Sequence, residues 1–315
     1  MLDALPRESI HLDHVFEKYE PHGDRIVAHF ADGQSFECDA LIGADGLHSR
    51  ARAQLLKDGP ATDRGYIAWR GVVDSLPTSI APGIAYEIYG SGRRFGIGTL
   101  GSGKVGWWAS ANKSFCDPLV RKQSDKTKGS TAASVNAQIR LDQSIQDHRC
   151  TRQELLQLFD GWWPPVVEMI RATPLSSLTR NVTCDRRPVR KWGEGSMTLL
   201  GDAIHPITPN LGQGGCLAIE DAAVLAQCLN KYGRNGAGNK AGCRPIPGAL
   251  RKFEALRFAR TATVRRYSRI YGVVGQWENS LAVRLRRLGL SMVPAKLTER
   301  LLRSLFDYDA YAVSI

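Results

Sequence analysis

Residues 197–221 read MTLLGDAIHPITPNLGQGGCLAIED, and the fold turns on this stretch. Met197 to Leu200 is a short apolar run of the kind a strand buried on both faces requires, and it stops at Gly201-Asp202. From Gly214 the pattern is helical to about Leu229, with Ala218, Ala222, Leu225 and Leu229 on one stripe. Gly212, Gly214 and Gly215 lie between the two, so a strand runs through a glycine-rich turn straight into a helix. Unpaired backbone N–H groups and the positive end of that helix then face whatever occupies the turn, which makes an anion site out of main chain. Glycine is required because a Cβ would hold a flat ligand off the backbone, and the preceding Asp202 is placed to bond sugar or ribityl hydroxyls.

A second strand end of the same kind lies upstream. Ala40-Leu41-Ile42-Gly43-Ala44 is a continuous apolar run ending at Asp45-Gly46, followed by Leu47-His48-Ser49-Arg50-Ala51-Arg52. Both segments put an aspartate at the carboxyl end of a buried strand, where open α/β sheets bind ligands. Taken singly, Asp45 is equally explained as a helix cap or turn former, whereas the glycine run beside Asp202 favours a ligand contact; His48 and His205 read as packed residues rather than bases.

Around these two ends the chain organises itself. Arg25 to Phe30 and Gln34 to Cys38 alternate and are joined through Asp32-Gly33, a hairpin signal, while Ser9 to His14 and Val15 to Glu20 read as extended. Tyr66 to Val73, Ile84 to Tyr89, Arg94 to Leu100 and Val105 to Ala111 are aromatic and β-branched, predicting a mostly antiparallel second sheet. Residues 117–138, poor in large apolar side chains, read as an insertion outside any core. Arg152 to Trp162 and Val166 to Ala172 look helical. A long helix follows with Phe253, Leu256, Ala259, Thr263, Tyr267, Ile270 and Val274 on its apolar face and arginines on the others. Further helices fill 281–290 and 295–305. The expected class is α/β with an α+β mixture: a truncated Rossmann-like layer, an antiparallel sheet domain and C-terminal helices. The expected divisions are 1–62, 63–185, 186–232 and 248–315, the first and third forming one layer.

Composition narrows the function classes. At 315 residues and 43% hydrophobic content the chain can bury a core, and no run approaches the roughly 18 apolar residues of a membrane-spanning helix. Met1 to His14 fits neither a secretory signal nor an acid-poor transit peptide. The seven cysteines form no C-x-x-C pair, so neither a zinc cluster nor a disulfide framework is expected, and a reducing compartment suits them. The net charge of +11 is regional, with 13 lysines and arginines against three acids between Arg251 and Arg303. Such a region suits an anionic cofactor, a membrane surface or nucleic acid. Gly101, Gly103 and Gly106 spell G-x-G-x-x-G, but they sit between two strand-like runs and read as a hairpin turn; Val105 stands where a P-loop needs Ser or Thr.

The paired segments Gly43–Arg52 and Gly201–Asp221 resemble the DG and GD motifs of the FAD-dependent monooxygenases of the aromatic-hydroxylase superfamily, nearest the zeaxanthin epoxidase and urate hydroxylase branch. The resemblance runs from Ser9 to about Leu285 and includes Tyr66 to Val73 and Trp277-Glu278-Asn279. It implies that Asp202 bonds the ribityl chain of FAD and that Gly212, Gln213, Gly214, Gly215 and Cys216 present backbone to the isoalloxazine edge. It also places Asp45 and Arg52 near the pyrophosphate, Val15 at the adenine, and Pro206 and Pro209 beside the reactive flavin carbon. The implied chemistry is reduction of FAD by NADPH or NADH, then oxygen transfer from O2 through a flavin C4a-hydroperoxide to an aromatic, heterocyclic or isoprenoid small molecule. No catalytic acid–base pair is needed. Trp69, Arg70, Tyr86 and Trp108 are the candidate pocket residues. The family opens with a strand, a G-x-G-x-x-G turn and a helix, which do not occur before Ser9 here, so FAD affinity is expected to fall. Competing readings are a partner-dependent pseudoenzyme and a basic protein binding nucleic acid or a membrane surface; peripheral membrane contact also fits the enzyme reading.

Overall fold

The computed structural model describes residues 5–75, 77, 79–116, 148–233 and 245–315; the expected insertion at 117–138 lies outside them. In chain order come β1 (Phe16–His22), β2 (Arg25–Phe30), β3 (Ser35–Cys38), β4 (Leu41–Gly43) and helix α1 (Arg50–Leu56). Next are β5 (Thr62–Val73), β6 (Tyr86–Tyr89), β7 (Arg93–Thr99), β8 (Val105–Asn112), α2 (His148–Leu158), α3 (Pro164–Ala172) and β9 (Thr179–Asp185). The chain closes with β10 (Gly193–Glu194), β11 (Met197–Leu199), α4 (Gly214–Cys228), α5 (Pro245–Gly275), α6 (Ser280–Met292) and α7 (Ala295–Phe306). These fall into two compact units. One comprises Met1–Thr62, Cys184–Arg269 and Ala295–Ile315, the other Asp63–Thr183 and Ile270–Pro294.

In the first unit β1, β2 and β3 form an antiparallel sheet, with Gly33 at φ 83° in the Asp32-Gly33 turn. Regular pairing starts at Phe16 rather than at Ser9, and Arg7–Ser9 form a 3-10 turn. A second sheet has the order β10-β11-β4, and β11 runs parallel to β4 with Leu199 opposite Gly43. Met197, Leu199, Ala203, Ile204, Val224 and Phe253 are buried around it. Each large apolar side chain so buried contributes about 1.5–3 kcal/mol.

The buried stripe of α5 differs from expectation. Phe253, Arg257, Thr261, Val264 and Ser268 face inward, whereas Ala259, Thr263, Tyr267 and Ile270 are exposed. The helix is rotated by about one residue from the apolar reading. Arg257 and Arg265 are accepted into the interior because Glu220, Asp221 and Asp185, all distant in sequence, meet them there.

In the second unit the sheet order is β6-β7-β8-β5-β9, with β6, β7, β8 and β5 paired antiparallel. Alternation puts Ile67, Trp69, Val73, Phe95, Ile97, Val105 and Trp107 on one face, packed with Leu155, Phe159, Met169 and Ile170 of the helical segment. Trp107 lies on Gly71, where a Cβ would come within 2.6 Å of its ring, and its Nε1 donates to Thr173 Oγ1 at 2.7 Å. Gly101–Gly103 is a 3-10 turn closing the β7–β8 hairpin through Leu100 N donating to Lys104 O at 2.7 Å.

Candidate functional site

Because β4 and β11 are parallel neighbours, both glycine-aspartate loops leave the same end of one sheet. Leu200 N donates to Gly43 O at 2.9 Å, so the two chains stay paired to the last residue before they diverge. At Gly43 a Cβ would stand 2.7 Å from Leu199 Cδ2 and 2.9 Å from the Cβ of Ala51, so only glycine lets α1 close on the strand. Asp45 then caps that helix from outside: its Oδ2 accepts from Arg50 N at 2.8 Å and Ala51 N at 3.2 Å. Ser49 supplies the N-cap itself, its Oγ accepting from Arg52 N at 2.8 Å.

Arg52 joins the two loops. Its Nη1 donates to Ile204 O at 2.6 Å and Ala203 O at 3.2 Å, while Nε and Nη2 bond the Asp58 carboxylate. The side chain is only 1% exposed. Arg186 Nη1 reaches Asp58 at 3.2 Å. Burial would raise the Asp58 pKa, but the Arg52 hydrogen bond and the two guanidinium charges hold it below the usual carboxylate range.

Beyond β11, Gly201 sits at φ 60° and its missing Cβ would lie 3.1 Å from that of Ala218, bringing the turn against α4. Asp202 is exposed, with its Oδ1 3.8 Å from where a Gly214 Cβ would be. Pro209 is exposed at the start of a 3-10 turn that ends at Gly212, φ 64°. Asn210 Nδ2 donates to Thr208 Oγ1 at 2.8 Å and to Ser268 O at 2.9 Å, which pins this loop to α5. Gln213 is buried at the N-cap position and makes no side-chain cap. The first N–H groups of α4 therefore point outward from Gly214, half-buried, and from Gly215 and Cys216, exposed. Nothing lies within 4 Å of a Cβ built on Gly212 or Gly215. An aspartate beside an open, glycine-lined helix entrance suits a polyhydroxyl chain leading to a flat anionic ring, so the residues present fit a flavin. Val15, half exposed just ahead of β1, has its carbonyl taken by Ala31 N at 2.9 Å.

What holds α4 in place did not emerge from the residue pattern. Asp221 is fully buried, its Oδ2 accepting from Gly201 N at 3.1 Å and from His205 Nε2 at 2.5 Å. Its Oδ1 takes Arg257 Nε at 2.6 Å. Arg257 also reaches Glu220 at 2.6 Å, and Arg260 grips the same carboxylate. Burial alone would raise the Asp221 pKa; the His205 hydrogen bond and the Arg257 charge outweigh it and keep the carboxyl below its ordinary value. His205 is thus a buried hydrogen-bonding residue. The one signal for this cluster was an acidic pair inside an otherwise apolar helix.

The four pocket candidates belong to the second unit and separate by parity. Trp69 is fully buried in the core, and Tyr86 is half-buried on the same side with its ring 5.7 Å from that of Trp163. Arg70 and Trp108 pair across β5 and β8 on the opposite face, Arg70 exposed and Trp108 40% exposed. The Trp108 indole lies flat over β7, where a Cβ on Gly96 would fall 2.0 Å from it. Further along this face Glu87 accepts from Tyr89, Tyr271 and Arg94. Burial first and the Glu87 charge second push the Tyr89 phenol up to about 12 and raise Tyr271 as well. Among the described residues no group of histidine, cysteine and acidic side chains is arranged to hold a metal.

Residues 9–241 match the family described as FAD binding domain. The aurachin C monooxygenase/isomerase of Stigmatella aurantiaca is 37% identical over 277 residues, covering 88% of this chain and 62% of that protein. The chloroplastic zeaxanthin epoxidase of Nicotiana plumbaginifolia is 30% identical over 257 residues, 81% of this chain and 34% of its own length. This chain therefore spans less than two thirds of either relative. Among solved structures, Klebsiella pneumoniae HpxO complexed with FAD and uric acid superposes with a TM-score of 0.75 at 26% identity, covering 97% of this chain and 68% of HpxO. With the family match extending over more than half its length, the chain belongs to the FAD binding domain family.

Proposed function

We propose that this chain forms the GD- and DG-motif side of the flavin site in an NAD(P)H-using, FAD-dependent monooxygenase. Its substrate class is an aromatic, heterocyclic or isoprenoid small molecule, hydroxylated or epoxidised. The observation that carries the reading is the parallel pairing of β4 with β11, which brings the Asp45 and Asp202 loops to one sheet end beside the open Gly212–Gly215 entrance. The relatives support the class: their names specify a monooxygenase and an epoxidase, and the HpxO structure holds FAD and uric acid.

In this reading Asp202 bonds the ribityl hydroxyls, and the N–H groups of Gly214, Gly215 and Cys216 stabilise negative charge on the ring edge. Gln213 and Pro209 set the entrance, Val15 lies towards the adenine and Asp45 towards the pyrophosphate. Arg52 acts through other residues, since a side chain 1% exposed with its guanidinium shared between Asp58 and two carbonyls has no face for a phosphate. Its work is positioning the two loops. Bound FAD supplies the chemistry of accepting a hydride from the nicotinamide and passing one atom of O2 to the substrate. Arg70 and Trp108 are the pocket candidates that remain on an accessible face, a cation and a flat apolar ring suited to a planar or carbonyl-bearing substrate.

The test is a flavin titration of the purified protein followed by NAD(P)H oxidation and oxygen uptake. Asp202→Ala is expected to weaken FAD binding by about 1.5–3 kcal/mol, roughly 10- to 150-fold, the range for a hydrogen bond to a charged group. Unchanged flavin affinity in that variant removes the assignment.

A further inference from the structure

Helix α6 is amphipathic the wrong way round for a helix that packs by its apolar side. Arg286, 6% exposed, is the anchor. Its Nη1 donates to Gly275 O at 2.8 Å, its Nη2 to Gly90 O at 2.8 Å, and its guanidinium lies 5.2 Å from the Tyr89 ring centroid. On the other side of the helix stand Leu281, Leu285, Leu288 and Met292, exposed by 65, 57, 58 and 78%. At 3.6 residues per turn these four lie within about 60° of one another. Arg284 and Arg287 are exposed along one edge of the stripe, and residues 280–292 contain no acidic side chain. The next helix in the chain, α7, also exposes Leu297, Leu301, Leu302 and Phe306 beside Lys296 and Arg300, but it carries Glu299, which pairs with Arg303 at 2.7 Å.

We propose that α6 is a docking surface for an anionic phospholipid bilayer, lying in the headgroup plane with Leu281, Leu285, Leu288 and Met292 inserted and Arg284 and Arg287 on the lipid phosphates. Charge complementarity chooses this occupant. A self-pairing of two copies across a two-fold axis would bring the arginine-edged stripe against itself, whereas anionic headgroups meet both the leucines and the arginines. Among the described residues no helix is long and apolar enough to cross a membrane, so the contact is peripheral. The inference is independent of the flavin site.

The experiment is co-sedimentation of the purified protein with vesicles of phosphatidylcholine mixed with phosphatidylglycerol, and of phosphatidylcholine alone. Binding to the anionic vesicles that falls with added NaCl is expected. The Arg284→Gln/Arg287→Gln double variant should lower the partition by about thirtyfold, the value for two basic side chains at an anionic surface. Leu285→Glu/Leu288→Glu should abolish it, with thermal unfolding and flavin content unchanged because both leucines are exposed. Absence of wild-type binding to anionic vesicles, or binding that neither variant reduces, overturns the proposal. So does a wild-type dimer that the leucine variant converts to monomer while no form binds vesicles, which would assign the face to a second copy of the chain.

Discussion

Replacing Asp221 by alanine should loosen the whole GD side of the first unit, and the size of the loss follows from its partners. Asp221 and Arg257 are both fully buried and joined at 2.6 Å, with His205 and Gly201 N on the other carboxylate oxygen. Removing one member of a buried pair costs about 3–5 kcal/mol, because the remaining charge stays desolvated. Glu220 still meets Arg257 at 2.6 Å, so the lower end, about 3 kcal/mol, applies. For a domain of 150–250 residues this corresponds to a fall in Tm of about 6–12 °C. The pH dependence has a defined sign. The folded pKa of Asp221 lies below its ordinary value, so its contribution is present above the unfolded pKa of about 4 and is lost as the pH falls through the depressed folded value. Asp221→Asn should therefore flatten the acid limb of stability below about pH 4 relative to wild type. Calorimetry of both variants against pH is the assay. A Tm within about 2 °C of wild type in Asp221→Ala, or an acid limb unchanged in Asp221→Asn, would refute the account of α4 as held by this cluster.

Arg52→Met should destabilise the first unit by about 2–3 kcal/mol, discounted from a fully buried pair because Asp58 is 28% exposed, and should weaken flavin binding as well; unchanged thermal unfolding would remove its role as a clip. Gly96→Ala puts a Cβ 2.0 Å from the Trp108 ring and should lift the indole from β7, destabilising the second unit by about 1–3 kcal/mol. Acrylamide quenching, with Trp108→Phe to isolate the signal, reads the displacement, and quenching equal to wild type contradicts it. Gly215→Ala should change the stability of the free protein by no more than about 0.5 kcal/mol while weakening its hold on FAD. Flavin titration beside thermal unfolding separates the two effects, and unaltered FAD affinity would deny a ligand at that position.

The features readable in the residue string are those governed by neighbours in sequence. A continuous apolar run made Leu41–Gly43 and Met197–Leu199 visible as strands, as was the hairpin at Asp32-Gly33; Met197–Leu199 is buried throughout as expected, whereas Leu41 and Ile42, at the end of the described β10-β11-β4 sheet, are half-buried. Strand parity was also readable, and it sets the neighbouring pocket candidates Trp69 and Arg70 on opposite faces, so the two could not line one pocket together. Which way was inward was not, since it depends on α2 and α3 covering one face of the sheet. The stripe of α5 failed for the same reason. Periodicity rates Arg257 as a solvent residue, and only the arrival of Glu220 and Asp221 from α4 allows it to be among the most buried positions on the helix. Long-range ion pairs leave no local signature, and Arg186 reaching Asp58 is a second case.

The glycines of the two motifs can be sorted by asking what the protein itself requires. Gly43 and Gly201 are accounted for internally: a Cβ on either meets Leu199 and Ala51 or Ala218, and Gly201 also has a left-handed backbone. Gly212 is half accounted for, because φ 64° favours glycine although its Cβ would meet nothing. Gly215 is not accounted for at all. It is the second residue of α4, in the first turn, and a Cβ there would meet no atom within 4 Å. No neighbouring atom and no backbone dihedral of the described residues requires glycine at this position. Gly215 is therefore the position at which the proposed flavin contact can be tested apart from the demands of the fold. Asp202, its Oδ1 3.8 Å from where a Gly214 Cβ would stand, sets a hydrogen-bond acceptor at the same entrance, so Asp202→Ala and Gly215→Ala probe the proposed flavin contact from two independent residues.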